Sequence, residues 1–242
     1  HGTGSNRDEA GMGYALAAPR MAADGIATLR IDFMGNGDST ASYRDYNYTS
    51  AVIDAKAAAD YLAGLETVDS GNLGVMGWSQ GGTDALLAAE AHPDTFQAVV
   101  TWSGALELNG ASLFAGTSFE DAYAQAKKEG FYTMTFDWRE PLELGERWFQ
   151  EVAETNILKV TADIKAPILA INGKDDTTVT PDNAEKIVKA AANADSQLLL
   201  VDNCDHTYNV FSGDFTALYQ TVDATAAFFQ AQLIPAAAQA AA

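Results

Sequence analysis

The chain has 242 residues, 48% hydrophobic and 19% charged, a balance that supports one sizeable buried core and argues against disorder. Fourteen basic against thirty-three acidic residues give a formal charge of −19. Such a surface repels nucleic acid and anionic membranes, which argues against both as partners. No apolar run reaches membrane-spanning length, and the one cysteine, Cys204, excludes an intrachain disulfide.

The opening residues, His1-Gly2-Thr3-Gly4-Ser5-Asn6, form a glycine-rich loop that already reads as functional. A functional loop at this point predicts a chain clipped ahead of His1, so its compartment is not read from it. Helical spacing follows over Asp8–Asp24 (Met12, Leu16, Met21) and stops at Gly25. Ile26–Phe33 (IATLRIDF) is β-branched and mostly apolar, which predicts a strand buried on both faces. Met34–Ser39 is a glycine-punctuated turn, and Thr49–Leu65 reads as a helix. A strand over Asn72–Met76, a helix over Thr83–Ala91 and a strand over Ala98–Ser103 come next. Strands at Pro167–Asn172 and Gln197–Val201 flank a helix at Pro181–Ala192, and a last helix covers about Phe215–Leu233. The alanine-rich tail Pro235–Ala242 is expected to fray and to carry no role. This alternation predicts an α/β fold, a mostly parallel sheet with helices on both faces.

Residues 105–160 break that rhythm, being far longer than an ordinary strand–helix link. They carry Phe114, Phe119, Tyr123, Phe131, Tyr132, Phe136, Trp138, Trp148 and Phe149. Either these aromatics bury one another in a helical excursion, or the segment is a lid over the site. It leaves the carboxyl end of a strand, where ligands bind in open α/β sheets, which favours the lid. The core is then residues 1–104 and 161–234, with a small inserted lid at 105–160.

Gly77-Trp78-Ser79-Gln80-Gly81 fits G-x-S-x-G between a strand and a helix, the context of a nucleophile elbow. Glycines two before and two after the serine let strand and helix pass closely around a sharp turn. A serine hydroxyl needs an adjacent base, and the chain has three histidines. His1 lies in the opening loop, and His92 ends the elbow's own helix before Pro93. Only His206, in a separate loop after the last strand, can turn toward Ser79 without distorting the elbow. An acid must hold the imidazole, and Asp176 has the G-x-x-D spacing from Gly173, with Asp175 the turn residue. The chain order Ser79, Asp176, His206 is that of α/β-hydrolases. The developing oxyanion needs two donors, assigned to the backbone N–H groups of Gln80 and Thr3. HExxH, CxxC and histidine clusters are absent from the sequence, so neither metal nor cofactor is expected. A cysteine nucleophile at Cys204 lacks a base that Ser79 does not already claim.

Four blocks, HGTGSN, DFMGNGDS, GWSQGG and NGKDDTTVTP with DNCDH, make the chain resemble the α/β-hydrolase superfamily over nearly its whole length. Within it, the chain is most similar to bacterial feruloyl (cinnamoyl) esterases. That resemblance implies hydrolysis of small-molecule esters of hydroxycinnamic acids under a lid, with the same triad and oxyanion donors. It also implies a central strand ahead of the His-Gly loop, so the intact protein is expected to be longer than this fragment. Trp78 stands where those esterases usually have histidine, and Trp148 aligns with a tyrosine that helps hold the substrate's aromatic hydroxyl. Both are therefore candidate substrate-binding residues. A serine peptidase of the acylaminoacyl or dipeptidyl type shares the elbow and triad, and a catalytically silent binding module is the alternative outside enzymes.

Overall fold

The computed structural model describes residues 1–110, 113–114, 116–137 and 139–234. The tail expectation for Pro235–Ala242 and the aromatic Trp138 lie outside these residues. Among them, four parallel strands form a sheet in the order β1 (Leu73–Trp78), β2 (Phe96–Trp102), then Ile168–Gly173 and Gln197–Val201. Side chains alternate across it as a sheet covered on both faces requires. Val99, Ile168 and Ala170 point into one apolar cluster with Ala51, Leu86 and Ile187. Ala98, Val100, Trp102, Leu169 and Ile171 point into the other, with Met21, Leu218 and Val222.

The first helix, α1 (Gly13–Ala23), begins later than its periodicity predicts, because Glu9, Gly11 and Met12 have positive φ. Helix α2 (Tyr48–Ala63) is entered through a reciprocal Asn47–Ser50 capping box. Helix α3 (Gln80–Ala91) starts on the residue after Ser79, three residues earlier than expected.

Ile26–Phe33 is a correction. It forms no strand, and Leu29 is 39% exposed. Among the described residues β1 pairs only with β2. Leu73–Met76 of β1 and Ile26–Ile31 instead line a shared cavity of about 460 Å³. A β-branched run becomes a strand only where a neighbouring backbone supplies ladder partners.

The segment between β2 and the third sheet strand holds α4 (Phe119–Glu129), an antiparallel hairpin of β3 (Phe131–Met134) and β4 (Leu142–Gly145), α5 (Glu146–Glu154) and α6 (Ile157–Asp163). Its aromatics pack on one another: Tyr123 stacks on Phe149 at 5.7 Å, and Phe119 and Trp148 also flank Phe149. The hairpin abuts the opening loop, where a side chain at Gly4 would collide with Leu142 and meet Arg139. The remaining sheet strands are β5 (Ile168–Gly173) and β6 (Gln197–Val201), separated by α7 (Asp182–Ala190), and the chain closes with α8 (Thr216–Leu233).

Candidate active site

Ser79 sits between β1 and α3 with φ 58° and ψ −121°. This is a strained conformation for a residue with a side chain, held here by its surroundings. Its N–H donates to the Trp102 carbonyl at 2.8 Å, and its own carbonyl accepts from Ala105 N–H at 3.1 Å. Three glycines permit the turn. A Cβ at Gly77 would overlap the Gly81 backbone, one at Gly81 would approach the His1 carbonyl to 2.6 Å, and one at Gly82 would approach Gly104 Cα to 2.6 Å. The elbow, the opening loop and the end of β2 therefore close on one point.

The loops after β5 and β6 are tied together by Lys174 N–H to Val201 O at 2.9 Å and Asp175 N–H to Cys204 O at 3.0 Å. Gly173 allows that approach, because a side chain there would overlap the Cys204 carbonyl. The result places Asp176, 2% exposed, against His206. Asp176 Oδ1 accepts from the N–H groups of Thr178 and Val179, each at 2.9 Å. Its Oδ2 lies 2.8 Å from His206 Nδ1, and His206 Nε2 lies 3.2 Å from Ser79 Oγ. This arrangement suits a neutral imidazole that donates from Nδ1 and accepts the serine proton at Nε2. Asp175 is exposed, as the turn reading requires.

The other two histidines are placed elsewhere. His1 is buried, with Nδ1 3.0 Å from the Gly2 carbonyl and Nε2 accepting from Phe33 N–H at 3.2 Å, so it clasps the opening loop to the end of Ile26–Phe33. His92 is the C-cap of α3. Cys204 is buried, and burial pushes its thiol up to about 12, which leaves it without thiolate character near neutrality.

The opening loop packs on the elbow, a Cβ at Gly2 reaching 3.2 Å from Ser79 Cβ. As the first residue of α3, Gln80 has a backbone N–H without an intrahelical acceptor, and the helix dipole adds positive potential there. The Thr3 N–H is bonded to no described residue. The Thr3 hydroxyl donates to Gln80 Oε1 at 2.7 Å and so couples the two residues.

The two candidate substrate-binding tryptophans are both buried. Trp78 is 2% exposed, and its Nε1–H donates to the His206 carbonyl at 3.0 Å. It packs edge-on against Tyr208 at 5.1 Å and Trp102 at 5.6 Å. Strand alternation sends position 78 to the face covered by α1 and α8, so this ring braces the histidine loop from behind. Trp148 is fully buried against Phe149 and Phe114, with no hydrogen-bond partner for Nε1 among the described residues.

Sequence reasoning missed Tyr46 and Asp84. Gln80 Nε2 donates to Tyr46 OH at 3.1 Å, and Tyr46 O–H donates to Asp84 Oδ2 at 2.5 Å. Burial raises the Asp84 carboxyl to about 7, against a lowering effect of the Tyr46 hydrogen bond. The available signal was an acid one turn after Gln80 on the buried side of an alanine-rich helix. Among the described residues, no group of three or more His, Cys, Asp or Glu is placed to hold a metal ion, and no helix is long and apolar enough to cross a membrane.

A family model described as the prolyl oligopeptidase family matches residues 14–234. Among solved structures, the chain is similar to Est1E from Butyrivibrio proteoclasticus with ferulic acid bound, with a TM-score of 0.77 at 20% identity over 97% of this chain and 88% of that one. It is also similar to the monoacylglycerol lipase of Paleococcus ferrophilus, with a TM-score of 0.74 at 18% identity over 96% and 92%. An esterase domain from Rhodothermus marinus matches with a TM-score of 0.65 at 18% identity over 91% and 81%. At these identities the likeness establishes the fold, while the family match spans nearly the whole chain. The chain belongs to the prolyl oligopeptidase family of α/β-fold hydrolases.

Proposed function

We propose that the chain is a carboxylic ester hydrolase that works through Ser79, His206 and Asp176 and an acyl-enzyme, without a cofactor. The observation that carries this reading is the pair of contacts at 2.8 and 3.2 Å running from Asp176 through His206 to Ser79 Oγ. In the first step Ser79 Oγ attacks the ester carbonyl while His206 Nε2 takes its proton. The carbonyl oxygen becomes an oxyanion that accepts from the N–H groups of Gln80 and Thr3. His206 then protonates the departing alkoxide, and Asp176 stabilises the imidazolium in between. Water enters, gives its proton to His206 and repeats the attack on the acyl group, restoring Ser79.

The substrate is a small-molecule ester with an aromatic or short acyl group. Ferulic acid in Est1E and the sequence resemblance to feruloyl esterases support an aromatic acyl group. We assign residues 105–160 as a lid, because Leu142 and Arg139 border the loop that carries Thr3.

Membership in the prolyl oligopeptidase family favours a second reading, cleavage of a peptide or amide bond by the same triad. Comparing kcat/KM for an aryl ester and its matching anilide separates the two. Ester preference supports the esterase, and anilide turnover at a comparable rate supports the peptidase. Ser79→Ala is expected to lower kcat by about 10⁴- to 10⁶-fold with the circular dichroism unchanged. Full activity in that variant overturns the triad, whereas no turnover together with no labelling of the wild type by a fluorophosphonate leaves a silent binding module.

A further inference from the structure

Tyr46, Asp84 and the Gln80 side chain have no role in the chemistry above, yet they form a continuous buried chain ending at the oxyanion donors. Gln80 and Asp84 are 0% and 2% exposed, and Tyr46 is 1% exposed. Thr3 Oγ1–H donates to Gln80 Oε1, Gln80 Nε2–H donates to Tyr46 OH, and Tyr46 O–H donates to Asp84 Oδ2, at 2.7, 3.1 and 2.5 Å. Every donor points the same way, toward a terminal carboxylate oxygen that accepts. Each link fixes the orientation of the next, because a hydroxyl or amide that spends its donor in one direction must accept from the other.

We infer that Asp84 and Tyr46 are positioning residues that hold the side chain of Gln80 and, through it, the Thr3 loop at the oxyanion hole. The inference rests on the serine-hydrolase reading and deepens it. The two donors come from very different supports. Gln80 N–H is fixed by α3, whereas Thr3 lies in a loop whose next residue, Gly4, has a φ of 59°. The loop's other hydrogen bonds include Ser5 N–H to Gly2 O at 3.1 Å, Gly2 N–H to Glu9 Oε2 at 2.7 Å and Phe33 N–H to His1 Nε2 at 3.2 Å, and none of these reaches α3. The Thr3–Gln80 side-chain bond is therefore the cross-brace between the donors, and Tyr46 with Asp84 fixes which end of the Gln80 amide faces Thr3. An oxyanion hole works only when its donors are already placed where charge develops. Loosening one donor therefore lowers kcat and leaves ground-state binding nearly unchanged.

The test uses Tyr46→Phe and Gln80→Met, which cut the chain while keeping both rings' or backbones' positions, together with Asp84→Asn and the Tyr46→Phe/Asp84→Asn double variant. Steady-state kinetics are measured on a chromogenic ester after thermal melting establishes that each variant is folded. Tyr46→Phe and Gln80→Met are each expected to lower kcat about tenfold, a fraction of the about 10²- to 10³-fold cost of losing a donor outright, with KM within about twofold. The double variant is expected to lose no more than the worse single variant, since both residues act through one chain. Thr3→Val, which removes the hydroxyl but keeps the N–H, is expected to reproduce the Gln80→Met loss. Wild-type kcat in folded Tyr46→Phe and Gln80→Met, a loss confined to KM, or additive losses overturns the inference while leaving the triad standing. A wild type that turns over neither ester nor anilide overturns both.

Discussion

Two hydrogen-bonded chains meet at the elbow, one reaching Ser79 Oγ and the other the Thr3 hydroxyl, and each has a buried aspartate at its far end. Asp176 takes four donors: two backbone N–H groups on Oδ1, and the Asn172 amide and His206 on Oδ2. Asp84 takes one donor, from Tyr46, and its Oδ1 has no partner among the described residues. Its carboxyl is accordingly raised to about 7 by desolvation. Both carboxylates are buried, and they differ in the number of donors aimed at them. In the reading proposed above, the well-bonded aspartate faces a group that becomes cationic during turnover. The poorly bonded one faces neutral hydroxyl and amide groups.

The sharpest way to break this comparison is to change Asp176. Asp176→Asn keeps the shape but offers an amide where His206 needs an acceptor, and kcat is expected to fall about 10⁴-fold. A loss below tenfold in steady-state kinetics would put the histidine's orientation under the control of something else. Trp78→Phe tests the support behind the same histidine. Losing the indole donor to the His206 carbonyl is expected to lower kcat several-fold with KM unchanged, about 1 kcal/mol of positioning. A change in acyl preference across an ester panel would instead return Trp78 to the substrate.

The smallest effect concerns Asp84 and stability. Its folded carboxyl titrates near 7 whereas an unfolded aspartate titrates near 3.8, so between those values the folded state holds a proton that the unfolded state releases. Its contribution to stability is fully present below about pH 4 and is lost as pH rises to about 7. Asp84→Asn removes the ionisation, so the variant's Tm relative to wild type is expected to climb by several degrees across that window. A difference independent of pH would show that the carboxyl does not titrate there. The groups facing it are Tyr43, Tyr46 and Tyr48 from the entry to α2.

The meeting of Ser79, Asp176 and His206 was legible because each follows a strand with an apolar run, and Gly77 and Gly173 mark the ends of two of those strands. Gly77, Gly81 and Gly173 are required by contacts within a few ångströms of the chain they sit in or abut, so the pattern carries its own reason. Trp78 was read toward the substrate because it stands where the resembled esterases have histidine, whereas the pleat turns its indole to the face of the sheet covered by α1 and α8. The insertion was legible as aromatic, but which surface those rings cover depends on partners such as Phe149 and Phe114 that only packing brings together.

What the sequence determined by itself is the alternation that builds a parallel sheet and the elbow at Gly77–Gly81, both products of short-range sterics and periodicity. What only the tertiary structure decided is which residues stand behind the elbow. Tyr46 and Asp84 are thirty-eight positions apart and carry no shared motif. Ile26–Phe33 has a strand's composition without a strand's pairing. In both cases the deciding interaction is a hydrogen bond to a distant backbone or side chain, and local sequence does not specify whether that partner arrives.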